Sequence, residues 1–258
     1  MEKRAIREIG LDPNRLIKVV IVACLSAEAV ILLLDVFLNL AQFWYVETFK
    51  ELRDLSNAAL ENSFGTWFSI VQNFAVATAA FILAFSYRSV FAHRAKSLGW
   101  LLIALFFAYI SLDDHLVLHE RLGGSMPVLL DWLFGKKIEP LPTYGWIFLF
   151  GPFFGAAGVF FLWFLYGQLK NARDRFILVG ALMLWALAVL MDAWDGTSNP
   201  YEGISNATGF GEFALRHVSM LVEEVFEMLG STGFLYLFLS QTRLLYTDQP
   251  TAVILQQK

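Results

Sequence analysis

Two short stretches hold most of the chemistry in this sequence, 111-SLDDHLVLHE-120 and 217-HVSMLVEEVFE-227. The first brings Asp113, Asp114, His115, His119 and Glu120 into one run, and the second sets Glu223, Glu224 and Glu227 after His217. Carboxylates and imidazoles three or four residues apart on facing helices are the ligands of metal sites inside helix bundles. A divalent ion held in this way can activate water for hydrolysis, with a free carboxylate as base, or bind oxygen if the ion is iron. Cys24 is the only cysteine, so His and carboxylate must supply the ligands. Zinc or iron is the expected ion. Asp113, His119, Glu120, Glu223 and Glu227 are the expected ligands, with His115, Asp114, Asp192, Asp195, His217 and Glu224 as supporting groups or alternative ligands.

These polar residues grow out of apolar helices. Of the 258 residues, 57% are hydrophobic and only 16% charged, and this places the chain among multi-pass membrane proteins. A helix needs about 20 apolar residues to cross a bilayer. Six segments qualify, near 17–43, 65–87, 98–120, 144–168, 176–196 and 214–243, which predicts an all-α integral membrane protein built as a single six-helix domain. Most of the 19 Lys and Arg residues fall on the side of the two termini, so both termini are expected in the cytoplasm. The net charge of −4 comes without a basic stripe, which excludes a nucleic-acid partner.

Counting about 1.5 Å per residue up each span brings the acids of the third, fifth and sixth helices to one level in the outer half of the membrane. A carboxylate at a helix centre costs about 2.5–3.5 kcal/mol on insertion, so three on the last helix cannot face lipid. At about 100° per residue, Asp113 aligns with Glu120, and His115 and His119 pair one turn apart. His217, Met220, Glu223, Glu224 and Glu227 share one face of the last helix. Only Arg121 and Arg216, both at the rim, are near enough to balance these acids. Like charges this close must be protonated, hydrated or bridged by metal.

Elsewhere, Glu28 and Asp35 lie seven residues apart on one face of the first helix. With Gln72 and Asn73 in the second helix, they supply a proton relay for a different function, a transporter coupled to protons or cations through an acidic vestibule. A third function is that of a non-catalytic subunit or scaffold whose acids only fix the fold. The segment 45–64, with Val46, Phe49, Leu52 and Leu55 at helical spacing, is expected as a helix on the membrane surface or as a polar loop. Glycines and prolines over 122–143 predict a loop capping the bundle. Gly151 and Gly155 predict close helix packing.

The stretches 111-SLDDHLVLHERL-122 and 223-EEVFEMLG-230 resemble a set of uncharacterised bacterial multi-pass membrane proteins, in which an Asp-acid pair precedes His-Glu and a later helix carries Glu-Glu-x-x-Glu. That resemblance implies a shared site and a bacterial cytoplasmic (inner) membrane location. Ser111 and His115 are also similar to the Ser-x-x-x-His helix of zinc-dependent membrane hydrolases related to ceramidases and adiponectin receptors, whose later His-x-x-x-His helix has no counterpart here. The expected function is a metal-dependent hydrolase or oxidoreductase embedded in the lipid bilayer and acting on a lipid-like substrate. No nucleophile motif, phosphate-binding glycine loop or nucleotide fingerprint narrows the reaction.

Overall fold

The computed structural model describes residues 12–40, 50–135 and 141–247, and the described chain is helical throughout. Helix α1 (Pro13–Asp35) starts on Asp12, whose carboxylate accepts the Asn14 N–H at 3.0 Å, with proline at the first helical position. It passes into a π turn over Val36–Leu40. A short α2 (Lys50–Ser56) leads to α3 (Phe64–Ser89), capped by the Ser63 hydroxyl accepting from Thr66 N at 3.2 Å. Then come α4 (Arg94–Leu116), α5 (Leu118–Gly124), α6 (Met126–Phe134), α7 (Gly145–Gln168), α8 (Ala172–Asp195), α9 (Glu202–Thr208) and α10 (Glu212–Thr247).

Five segments among the described residues are long and apolar enough to cross a membrane: Pro13–Leu40, α3, α4, α7 and α8. Their outward faces carry Leu33, Trp67, Phe85, Trp163 and Phe176, all exposed as a lipid-facing surface requires. The 36-residue α10 is long enough as well, yet it carries Glu223, Glu224 and Glu227 and packs against α1, α3 and α8. Its neighbours take over the contact with lipid. The core below the acids is aromatic: the ring centroids of Trp100 and Phe238, and of Phe107 and Phe234, stand 5.1 Å apart edge to face. Gly99 lets α4 approach α7 here, since a Cβ at that position would come 2.3 Å from the Phe164 ring.

Three expectations change. The third predicted span, 98–120, is broken at Val117, which adopts φ 53° and ψ 42°. A β-branched residue in the left-handed region is rare and costs of order 1–3 kcal/mol, so the surroundings must impose it. Asp113 does so by accepting the His119 backbone N–H at 2.9 Å across the break. The break removes the predicted alignment of Asp113 with Glu120 and the pairing of His115 with His119.

Among the described residues of the segment 45–64, 50–56 forms the short α2, and 57–63 then tucks inward, with Ala58 N donating to Asp35 Oδ2 at 2.8 Å. Val46 and Phe49 lie outside the described residues. The stretch 122–143 contains the end of α5 and all of α6, whose Val128, Trp132 and Phe134 are exposed, while 136–140 lies outside the described residues. An apolar helix of this length beside the spans suits the headgroup boundary better than a capping loop does.

Candidate functional site

A cavity of about 670 Å³ lies between α3, α4, α7, α8 and α10. Glu61, Asp113, Asp114, Glu120, Asp192, Glu223, Glu224 and Glu227 line it, together with His119. Phe106, Ile110, Phe154, Phe161, Leu182 and Trp185 supply apolar wall. No Lys or Arg among the described residues lines it. The predicted meeting of acids from three helices is therefore present. The α10 acids do point into the bundle interior, as their insertion cost requires.

His119 is the most tightly held of these groups. Its Nδ1 stands 2.5 Å from Asp113 Oδ2, while Asp113 Oδ1 accepts the His119 backbone N–H and, at 3.4 Å, the Tyr109 hydroxyl. Both Asp113 oxygens are thereby engaged, and this residue, expected as a ligand, orients the imidazole. With Nδ1 fixed, Nε2 is the ring nitrogen left for other chemistry. The ring also meets Trp146 edge to face at 4.9 Å, and Trp146 Nε1 donates to Asp192 Oδ2 at 2.8 Å.

A tight backbone crossing places Trp146. A Cβ on Gly123 would come 2.4 Å from Trp146 N, and one on Gly145 would come 2.2 Å from the Gly123 carbonyl oxygen. Only glycines allow α5 to cross the start of α7 this closely.

Asp114 is among the residues expected as supporting groups or alternative ligands. It lines the cavity and accepts from Asn73 Nδ2 of α3 at 3.1 Å, and Asn73 Oδ1 in turn accepts from the Ser231 hydroxyl at 2.9 Å. The side chains of Glu61, Glu120, Glu223, Glu224 and Glu227 make no hydrogen bond or ion pair among the described residues. Glu61 comes from the tucked 57–63 loop, outside the spans, where burial pushes its carboxyl up and the nearby Glu120 charge adds to the rise.

Other predicted residues lie elsewhere. Asp35 and His217 face each other at 2.8 Å, both buried, and join α1 to α10 away from the cavity. Asp35 thereby joins His217 to the Ala58 backbone N–H. Asp195 takes Arg216 at 3.1 Å, and Arg216 reaches the Tyr144 hydroxyl at 3.2 Å, forming a rim cluster. His115 is exposed and does not line the cavity. Glu28 is buried, and its Oε1 accepts from Gln72 Nε2 at 2.9 Å and from the Thr232 hydroxyl at 2.6 Å.

The family match spans this whole arrangement: the family described as Domain of unknown function (DUF8692) covers residues 19–242. The chain belongs to that family. No curated protein and no solved structure matches it. The matched stretch holds every cavity-lining residue, so the cavity belongs to the family domain and not to an appended segment.

In their present positions no three of the described His, Cys, Asp and Glu side chains stand close enough together to hold a metal ion. The cavity groups are gathered but spread over its wall. Sequence reasoning did not single out Glu61, Tyr109 or Trp146. Glu61 sits in a segment whose polar pattern carries no depth information, and the two aromatic residues act through one hydrogen bond each, which leaves no periodic signal.

Proposed function

We propose that this DUF8692 member is a six-span membrane protein with both termini in the cytoplasm, and that its cavity binds a divalent cation at the acid end beside a lipid-like molecule. One observation carries this: among the described residues, eight carboxyl groups and a single imidazole line one cavity without a Lys or Arg. Self-repulsion among ionised carboxylates is relieved by cations or by protonation, and a divalent ion removes two charges at once.

His119 fits the cation best, because a metal-ligating histidine characteristically gives its other ring N–H to a carboxylate, as it does here to Asp113. Glu223, Glu227, Glu120 and Asp192 are the carboxylates that would close on the ion. The three glutamates must rotate to do so, an easy change for side chains without protein partners, while Asp192 is held by Trp146 Nε1. With a cation present, the chemistry available is hydrolysis of a head group by metal-bound water. Glu61 would be the base, since a carboxyl raised toward neutrality accepts a proton more effectively there.

Titration of the detergent-purified protein with Mn²⁺, followed by electron paramagnetic resonance, tests the site. Wild type is expected to take up the ion, and the double variant Glu223→Gln/Glu227→Gln is expected not to. Equal uptake by both proteins would remove these glutamates from the ligand set.

A second function, proton transfer through the bundle, has its own support. One polar row leaves the cavity wall, Asp114–Asn73–Ser231, and the neighbouring residues of α3 and α10 form a second, Glu28–Gln72–Thr232, with Glu28 Oε2 buried and unpartnered among the described residues. A buried carboxyl next to such a row is a relay candidate. In liposomes under a pH gradient, this function requires proton flux that Glu28→Gln abolishes. Flux that is absent in wild type, or unaltered in the variant, would eliminate it.

A further inference from the structure

We propose that the cavity admits its ligand sideways from the bilayer, with one apolar chain lying along the Gly151–Gly155–Gly158 face of α7 and leaving through the seam between α7 and α8. The proposal rests on the lipid-binding function above and names the part of the ligand that the acids do not recognise. These glycines stand at the spacing that normally brings two helices into contact, and close packing was the sequence-based expectation. The structure shows otherwise. A Cβ built on Gly155 or Gly158 meets nothing within 4 Å, and one on Gly151 meets only Ile147 of the same helix, at 3.8 Å. All three glycines line the cavity. Their missing side chains leave space inside the protein where a neighbouring helix would otherwise fill it.

Two further observations point to a ligand in that space. Val159 and Leu162 of α7 and Leu190 of α8 line the cavity and are also 70%, 42% and 62% exposed, so the wall they form is open to the outside along the helix seam. At that level of the bundle the outside is hydrocarbon, which excludes a water-soluble substrate from this route. Ser69 lines the cavity from α3, is only 3% exposed, and its hydroxyl has no partner among the described residues. An unpaired buried hydroxyl costs about 1–3 kcal/mol, which a polar atom on the ligand would recover. The ligand class is therefore an amphiphile with a single apolar chain, a hydrogen-bonding group below its head, and a head that is cationic or carries the cation.

The test uses a long-chain alkyl amine bearing a photoactivatable diazirine near the end of its chain. In wild type, cross-links are expected on α7 and α8 peptides that contain Val159, Leu162 or Leu190. Gly155→Phe and Gly158→Phe put a ring into the channel from positions where a Cβ meets nothing within 4 Å, and replacing a helical glycine favours the helix, so both variants are expected to fold. Labelling of these peptides should fall to background in both, while Mn²⁺ uptake at the acid end persists. Undiminished labelling in two folded variants, or labelling confined to outward residues such as Trp163, would overturn the proposal. Loss of labelling in the variants of a protein that takes up no Mn²⁺ in any form would sustain the side channel and refute the cation function.

Discussion

His119→Ala is expected to empty the acid end of its cation while the bundle stays folded. The imidazole is held firmly, with Nδ1 2.5 Å from Asp113 Oδ2, and its side chain is 24% exposed, so its removal takes little from the core. The variant leaves the glutamates in place, but they are long, unpartnered side chains without an anchoring ligand. Metal content measured by mass spectrometry should fall to the level of a chelated control. Asp113→Asn provides the graded comparison: an amide keeps the shape but cannot accept both His119 N–H groups, and loss of such an orienting partner weakens metal binding by about 10–100-fold. Unchanged metal content in His119→Ala would place the cation away from this residue.

The second large effect is expected from Gly123→Ala, a change of one methyl group. The new Cβ would come 2.4 Å from Trp146 N and 2.5 Å from Trp146 Cβ, and the first of these is backbone that no rotamer change can move. The crossing of α5 over α7 must open, at an overpacking cost of about 1–3 kcal/mol. The displacement falls on the Trp146 ring, which meets His119 at 4.9 Å and holds Asp192 Oδ2 at 2.8 Å. Gly123→Ala should therefore lower both thermal stability and cation affinity. Gly124→Ala, where a Cβ meets nothing within 4 Å, should change neither. Equal melting temperatures and affinities for the two variants would mean that the crossing does not position the site.

The parts of this molecule that were legible in its sequence are those that repeat. Five apolar runs stand as helices able to cross a membrane, and the acids of α4, α8 and α10 meet because helical rise and insertion cost together fix their depth and their inward face. What could not be read depends on single contacts. The break at Val117 opposes the local preference of valine and exists because Asp113 engages His119 across it. His217 shares a helix face with the cavity glutamates by angle, yet it is drawn off to Asp35, a partner 182 residues away. Asp195 is at the right depth but is claimed by Arg216. Gly151 and Gly155 carry a spacing that fits a helix contact and an open channel equally well, and, among the described residues, only the absence of a neighbouring helix within 4 Å of their Cβ positions decides between them.

The central claim is that the carboxylates and His119 collect around a cation, and elemental analysis of the protein addresses it most directly. The chain would be purified from its membrane in mild detergent, without chelator and without a metal-bearing affinity tag. About one or two equivalents of zinc, iron or manganese per chain, lost in His119→Ala, is the predicted result. A folded, metal-free protein that also takes up none of these ions when they are added would contradict it, leaving protonation as the means by which eight carboxyl groups share one cavity.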